Sequence, residues 1–203
     1  MKKILIWDIP TRIGHWFLVT VFVLSFITGD SEEQRLFHVA AGYAVAGVLV
    51  FRVFWGIAGT RYARFASFLF SPREAVAYLG GLLKGKPTSH WLGHNPAGSY
   101  AIFILILLGF ATVASGFADY AEMGGEWIEE VHDVLSYTML GMVVFHVLGV
   151  IVGSWVHHEN LIRSMFNGYK QGENKDAIES GKACWAIAPI ILAILASLLV
   201  FIT

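Results

Sequence analysis

Eight histidines occur in the chain, and four of them, His15, His38, His132 and His146, fall inside or at the edge of long apolar stretches. A coordinating side chain in such a stretch is costly to keep away from water, so each one asks for a partner or a function. His132 and His146 are fourteen residues apart. In one helix that is almost four turns, so the two rings face the same way, about 21 Å apart along the axis. His38 lies near the end of its stretch that shares a level with His132, and His15 near the end that shares a level with His146. The expected pairs are therefore His38 with His132 and His15 with His146. A single histidine here is most simply a hydrogen-bonding group between helices. Four at matched depths, two of them on one face, read instead as two iron sites of two imidazoles each. A haem iron held in this way keeps no open coordination position, which suits it to electron transfer and not to oxygen binding. The one cysteine, Cys184, excludes an intrachain disulfide, a CxxCH haem attachment and a cysteine-ligated iron–sulfur cluster carried by this chain alone.

Two arginines accompany these histidines. Arg52 lies fourteen residues beyond His38 and so shares its helix face at the level of His15 and His146. Its planar fork suits a carboxylate such as a haem propionate. Arg12, one turn before His15, is a second candidate for the same contact. The alternative for both is a stem lying in the apolar layer with the head at the lipid headgroups. The remaining histidines, His90, His94, His157 and His158, flank the apolar stretches and are expected at the interface, where water satisfies them.

The elements that must carry these residues follow from composition. Of 203 residues, 56% are hydrophobic and 14% charged, and mean hydropathy is positive, which is more apolar than an ordinary soluble domain needs. A span takes about 20 mainly apolar residues. Five stretches qualify, at about 11–30, 36–57, 98–118, 128–156 and 184–203, forming a single membrane domain of all-α class. Trp7, Asp8, Pro10 and Arg12 interrupt the place where a cleaved signal would need its apolar core, so Met1 is expected to begin the mature chain. Ser71-Pro72-Arg73-Glu74 is a capping box with proline at the first helical position, predicting an interfacial helix over about 72–83 that Lys84, Lys86 and Pro87 end. A second such element is expected from about 158 to 172, and a polar linker from 172 to 181.

Orientation follows from Lys and Arg. Lys2, Lys3 and Arg12 precede the first span, Arg52 through Lys86 end the second and fill the next loop, and Arg163, Lys170, Lys175 and Lys182 follow the fourth. Only Arg35 falls on the other side. The prediction is an N-terminus in the cytoplasm and a C-terminus in the periplasm. The outer loops are acidic, with Asp30, Glu32 and Glu33 in one and Asp119, Glu122, Glu126, Glu129, Glu130 and Asp133 in or beside the other. Such a face attracts a basic partner, although acids also occur in translocated loops without such a role. No nucleic-acid partner is expected. Glycines recur in the spans, among them Gly42, Gly47, Gly109, Gly116 and Gly149; they suit either close helix packing or room for a flat macrocycle.

Several motifs together resemble the prokaryotic di-haem cytochrome b561 family and the related b-type cytochrome subunits of nickel–iron hydrogenases, over nearly the whole chain. Trp7-Asp8-Ile9-Pro10-Thr11-Arg12-Ile13-Gly14-His15-Trp16 is similar to that family's entry to its first span. Arg52-Val53-Phe54-Trp55-Gly56 with Tyr62-Ala63-Arg64-Phe65 is similar to its exit from the second. His94-Asn95-Pro96-Ala97-Gly98 resembles the lead into the third, and His132 with His146 the spaced ligands of the fourth. The resemblance implies two non-covalent haem b groups in a four-helix di-haem core, with ligands from spans one and two opposing those of span four, and quinone as membrane-side partner. The fifth, C-terminal transmembrane helix lies outside that core and is expected to pack against the bundle or another subunit. The leading expectation is an inner-membrane subunit passing electrons between quinone and a periplasmic redox protein, a basic c-type cytochrome or a hydrogenase. A superoxide:quinone oxidoreductase is the enzymatic alternative, set back by the lack of a positive outer funnel. A non-redox transporter subunit with proton-relaying histidines is the third reading. No motif specifies homodimerisation.

Overall fold

The computed structural model describes residues 2–84 and 90–201. Four of the described helices begin where a side chain replaces a missing first-turn partner. Asp8 accepts from the Thr11 N–H at 2.8 Å and Pro10 follows in the first turn of α1, Ile9–Thr28, where a missing N–H costs nothing. After α2, Arg35–Ala58, the expected capping box opens α3, Pro72–Leu83: the Ser71 hydroxyl accepts from the Glu74 N–H, and the Glu74 carboxylate from the Ser71 N–H. Asn95 caps α4, Pro96–Tyr120, by accepting from Gly98 at 2.7 Å. Then come α5, Glu126–Val156, α6, Leu161–Asn167, and α7, Ala188–Ser197. Helix α6 closes on Gly168 at φ 87, a left-handed position that glycine alone adopts freely.

Among the described residues, five helical stretches are long and apolar enough to cross a membrane: α1, α2 with the turn before it, α4, α5, and Ala183–Phe201 around α7. Each overlaps a predicted span. Lys86 and Pro87, expected to end α3, lie outside the described residues, as do Ile202 and Thr203 at the end of the fifth span. Large apolar side chains such as Phe37, Leu107, Phe145 and Trp155 stand exposed along these helices. Lipid is the solvent that accepts them. The molecule is an integral membrane helix bundle.

Helix α2 is the centre of the packing and touches α1, α4 and α7. Val21, Ala44, Val45, Val48, Leu49 and Ala193 make the buried core of that group. The fifth span therefore packs on the bundle. A Cβ at Gly47 would stand 2.4 Å from the Leu192 carbonyl and 2.7 Å from the Ala193 Cα, so only glycine lets these two backbones approach so closely. Helix α5 is placed differently: it lies along α4 and does not pack closely on α1 or α2.

The end of the bundle bearing the N-terminus, here the proximal end, is closed by structure that periodicity did not reveal. Lys2–Leu5 forms β1, which pairs antiparallel with β2, Tyr169–Gly172, Lys2 lying opposite Gly172. The Ile178 N–H donates to the Leu5 carbonyl at 2.9 Å, and Ile4, Ile6, Trp7, Tyr62 and Ile178 form a small core beneath the helices. The segment expected as a polar linker is thus folded back over this end. Asp8 is fully buried here, where it also accepts from Trp55 Nε1 at 3.0 Å and from the Thr60 hydroxyl. One carboxylate ties the start of α1 to the end of α2 and the loop after it.

Candidate functional site

The gap between α5 and the α1–α2 pair holds the four histidines of the apolar stretches. At the distal end His38 and His132 face each other with ring centroids 6.0 Å apart and planes at 90°. Each ring is held by its Nδ1. That of His38 donates to the Ser25 carbonyl on α1 at 2.8 Å. That of His132 donates to the Thr112 carbonyl on α4 at 3.0 Å and lies 3.1 Å from the Ser115 hydroxyl. The carbonyls fix both tautomers and leave each Nε2 unprotonated. Nε2 of His132 has only a long contact, 3.5 Å, to Ser136 Oγ, at the limit of a hydrogen bond.

The spacing suits a metal held by two imidazoles. Two metal–nitrogen bonds of about 2 Å plus the half-widths of two imidazoles amount to about 6 Å between centroids, as found here. Glycines clear the space behind the rings. A Cβ at Gly116 would stand 2.8 Å from His132 Cε1, and one at Gly29 would stand 3.5 Å from His38 Cε1. Phe22, Phe26, Tyr43, Phe117, Tyr137 and Met139 wall the cavity around them. Sequence reasoning noted Gly116 only as one of many span glycines, and passed over Gly29. It singled out Gly42 and Gly149, whose Cβ positions meet no histidine. The donor set, free ring nitrogens, apolar wall and cleared space all fit a flat iron porphyrin.

At the proximal level His15 and His146 lie within electrostatic reach of each other. The His15 Nδ1 is enclosed and has no hydrogen-bond partner. Arg52 donates Nη1 to the Ala63 carbonyl at 3.1 Å and lies over the Phe65 ring at 4.8 Å and the Phe68 ring at 6.0 Å. It faces the loop between α2 and α3. Arg12 is turned toward α6, donating Nη1 to the Phe166 carbonyl, and its Nε is enclosed without a partner.

His94 departs from expectation. Its place before α4 predicts an interfacial residue satisfied by water, but its ring packs on Trp7 at 4.8 Å and Phe68 at 4.3 Å, and its Nδ1 is enclosed and unpartnered. Desolvation holds its pKa well below the ordinary histidine value, and the charges of Arg52, His146, Lys170 and His15 push the same way. His94 is therefore neutral at pH 7. The cause is tertiary: Trp7, between β1 and α1, and Phe68, in the loop after α2, both pack on it. Nearby, the Lys170 ammonium is enclosed with Glu159 at 2.8 Å and the Trp91 carbonyl at 3.1 Å. Burial lowers its pKa and Glu159 opposes that shift.

Residues 6–168 match the family model described as prokaryotic cytochrome b561. The chain belongs to that family. This cytochrome is 25% identical to the "Probable Ni/Fe-hydrogenase B-type cytochrome subunit" of Cupriavidus necator, covering 84% of this chain and 88% of the relative. It is also 25% identical to the "Probable Ni/Fe-hydrogenase 1 B-type cytochrome subunit" of Escherichia coli K12, over 81% and 89% of the two chains. A subunit of the first description from Azotobacter vinelandii is 26% identical, over 81% and 87%. No solved structure matches the chain. Membership makes the protein a multi-pass b-type cytochrome, and b-type cytochromes carry haem b for electron transfer within the membrane.

Proposed function

We propose that this cytochrome holds two haem b groups, one between His38 and His132 and one between His15 and His146, and passes electrons between the quinone pool and a periplasmic redox protein. The observation that carries the reading is the distal pair: two imidazoles at 6.0 Å and 90°, each anchored through Nδ1 to a main-chain carbonyl. Bound iron porphyrin supplies a one-electron carrier that cycles between ferrous and ferric states without opening a coordination position. The chain's own residues do the rest. Ser25 and Thr112 lend their carbonyls to orient the ligands and raise their basicity. Phe22, Phe26 and Tyr137 exclude water around the distal site. Arg52 receives a haem carboxylate at the proximal level, and Arg12, held at the α6 end of the site, is the second cation for that role.

The curated relatives are named as hydrogenase subunits, which supports a hydrogenase as the periplasmic partner. Exposed Glu122, Glu126, Glu129 and Glu130 at the distal end would equally favour a basic c-type cytochrome. The Lys and Arg bias supports a cytoplasmic proximal end in a bacterial inner membrane, with quinone meeting the protein from the lipid. Arg35, the one cation expected on the outer face, lies over the Tyr120 ring at 5.6 Å; this gives a superoxide-gathering funnel no support.

Purified protein examined oxidised and after dithionite reduction tests the proposal. Ferrous b-type bands with two haems per chain are expected. His15→Ala or His146→Ala should remove one haem, and His38→Ala or His132→Ala the other. A colourless preparation, or loss of both haems from every single variant, would refute it.

A further inference from the structure

We infer that His94 is a positioning residue for the proximal haem, donating an Nε2–H hydrogen bond to a haem carboxylate that Arg52 also meets; this rests on the proposed haem between His15 and His146. Three features of the structure carry it. First, the ring is rigidly placed. Trp7 and Phe68 pack on it at 4.8 and 4.3 Å, both tilted, at 55° and 54°. The loop that bears it is tied by the Lys170 bond to the Trp91 carbonyl at 3.1 Å and by the edge-to-face contact of Trp91 with Phe70 at 4.7 Å. A Cβ at Gly93 would stand 2.9 Å from the Tyr62 ring, so the main chain sits flush against Tyr62.

Second, the ring is polar without a partner. Nδ1 is enclosed with no hydrogen bond, so a proton placed there would have no acceptor. The proton therefore resides on Nε2, the nitrogen that can reach outward. Third, the surroundings suit an anion. Arg52 lies 6.0 Å from the Phe68 ring and His94 lies 4.3 Å from the same ring, and His94 is within electrostatic reach of Arg52, His146, His15 and Lys170. Among the described residues no carboxylate is in that set; Asp8 acts on Arg52 but is committed to Thr11, Trp55 and Thr60. A neutral N–H donor beside an arginine, at the level of the two ligands, is a recognition pair for one carboxylate.

Full-length protein in detergent, carrying His94→Leu, His94→Phe or His94→Gln, tests this by haem content and by redox titration followed at the haem bands. Leucine and phenylalanine both fill the slot between Trp7 and Phe68, so one remains readable if the other fails to fold. Both are expected to keep two haems and to lower the equilibrium constant for reducing one of them, assigned as proximal through its loss in His15→Ala, by roughly three- to tenfold, tenfold being about 59 mV for one electron. The uncompensated carboxylate then favours the ferric state. Glutamine, which retains an N–H donor, should stay within about twofold of the parent. Unchanged potentials in both apolar variants, a shift confined to the distal haem, or loss of the proximal haem from every His94 variant would overturn the inference, the last by making His94 a ligand. A parent protein that binds no haem there would instead refute the reading it rests on.

Discussion

Gly116→Ala should selectively weaken the distal site, and the structure sets the size of the effect. The added Cβ would stand 2.8 Å from His132 Cε1 and 3.1 Å from its Nδ1, whereas ordinary contact begins at 3.4 Å. The ring must withdraw by about 0.6 Å, the difference between 3.4 and 2.8 Å. It is not free to do so, because its Nδ1 donates to the Thr112 carbonyl at 3.0 Å. Moving it by that amount stretches the bond beyond normal range and forfeits about 1–1.5 kcal/mol. Since 1.4 kcal/mol is tenfold in an equilibrium constant, affinity for the distal haem should fall about tenfold. The assay is haemin titration of the haem-depleted protein in detergent, read as reduced-minus-oxidised bands for each site. Gly80→Ala, where an added Cβ meets nothing within 4 Å, is the control and should match the parent. Unchanged distal affinity, or equal weakening of both sites, would refute the claim that Gly116 makes room for a pinned His132.

Three further outcomes are expected. Asp8→Ala strands the Trp55 and Thr60 donors at the buried proximal end and should lower stability by about 2–4 kcal/mol, measurable as an earlier thermal midpoint in detergent, with Asp8→Asn recovering part of it. Gly47→Ala forces α7 off α2 because the obstructing atoms are main chain; a loss of about 1–3 kcal/mol is expected, and a parental melting curve would contradict the close approach. Acidification should destabilise the fold through His94: its folded pKa lies well below 6.5, so the unfolded chain binds the proton first and stability falls as pH drops below about 6.5, by up to about 1.4 kcal/mol per unit. Melting curves at pH 7 and pH 5 should differ less in His94→Gln than in the parent.

Much of this protein was legible in its sequence because the bilayer simplifies the inference. A membrane requires every backbone group to be satisfied within its own helix, so hydropathy alone located five helices, and the 3.6-residue period placed His132 and His146 on one face. The capping box at Ser71 is equally local, since four consecutive residues contain all of it. The role of the proximal cap was not legible. Residues 2–5 pair with 169–172, a contact across most of the chain, and no periodicity in either segment announces it. That closure turns Asp8 from a helix cap into a buried junction, and makes His94 an enclosed ring where sequence position suggested a wet one. The glycines divide for the same reason. Composition cannot distinguish Gly116, which faces a histidine, from Gly47, which admits another backbone, or Gly149, which meets neither. Residue type and spacing determined which side chains could do chemistry and at what depth; only packing between distant segments decided which rings were pinned, which charges were enclosed and where space was left for a cofactor, because those depend on what each helix face meets.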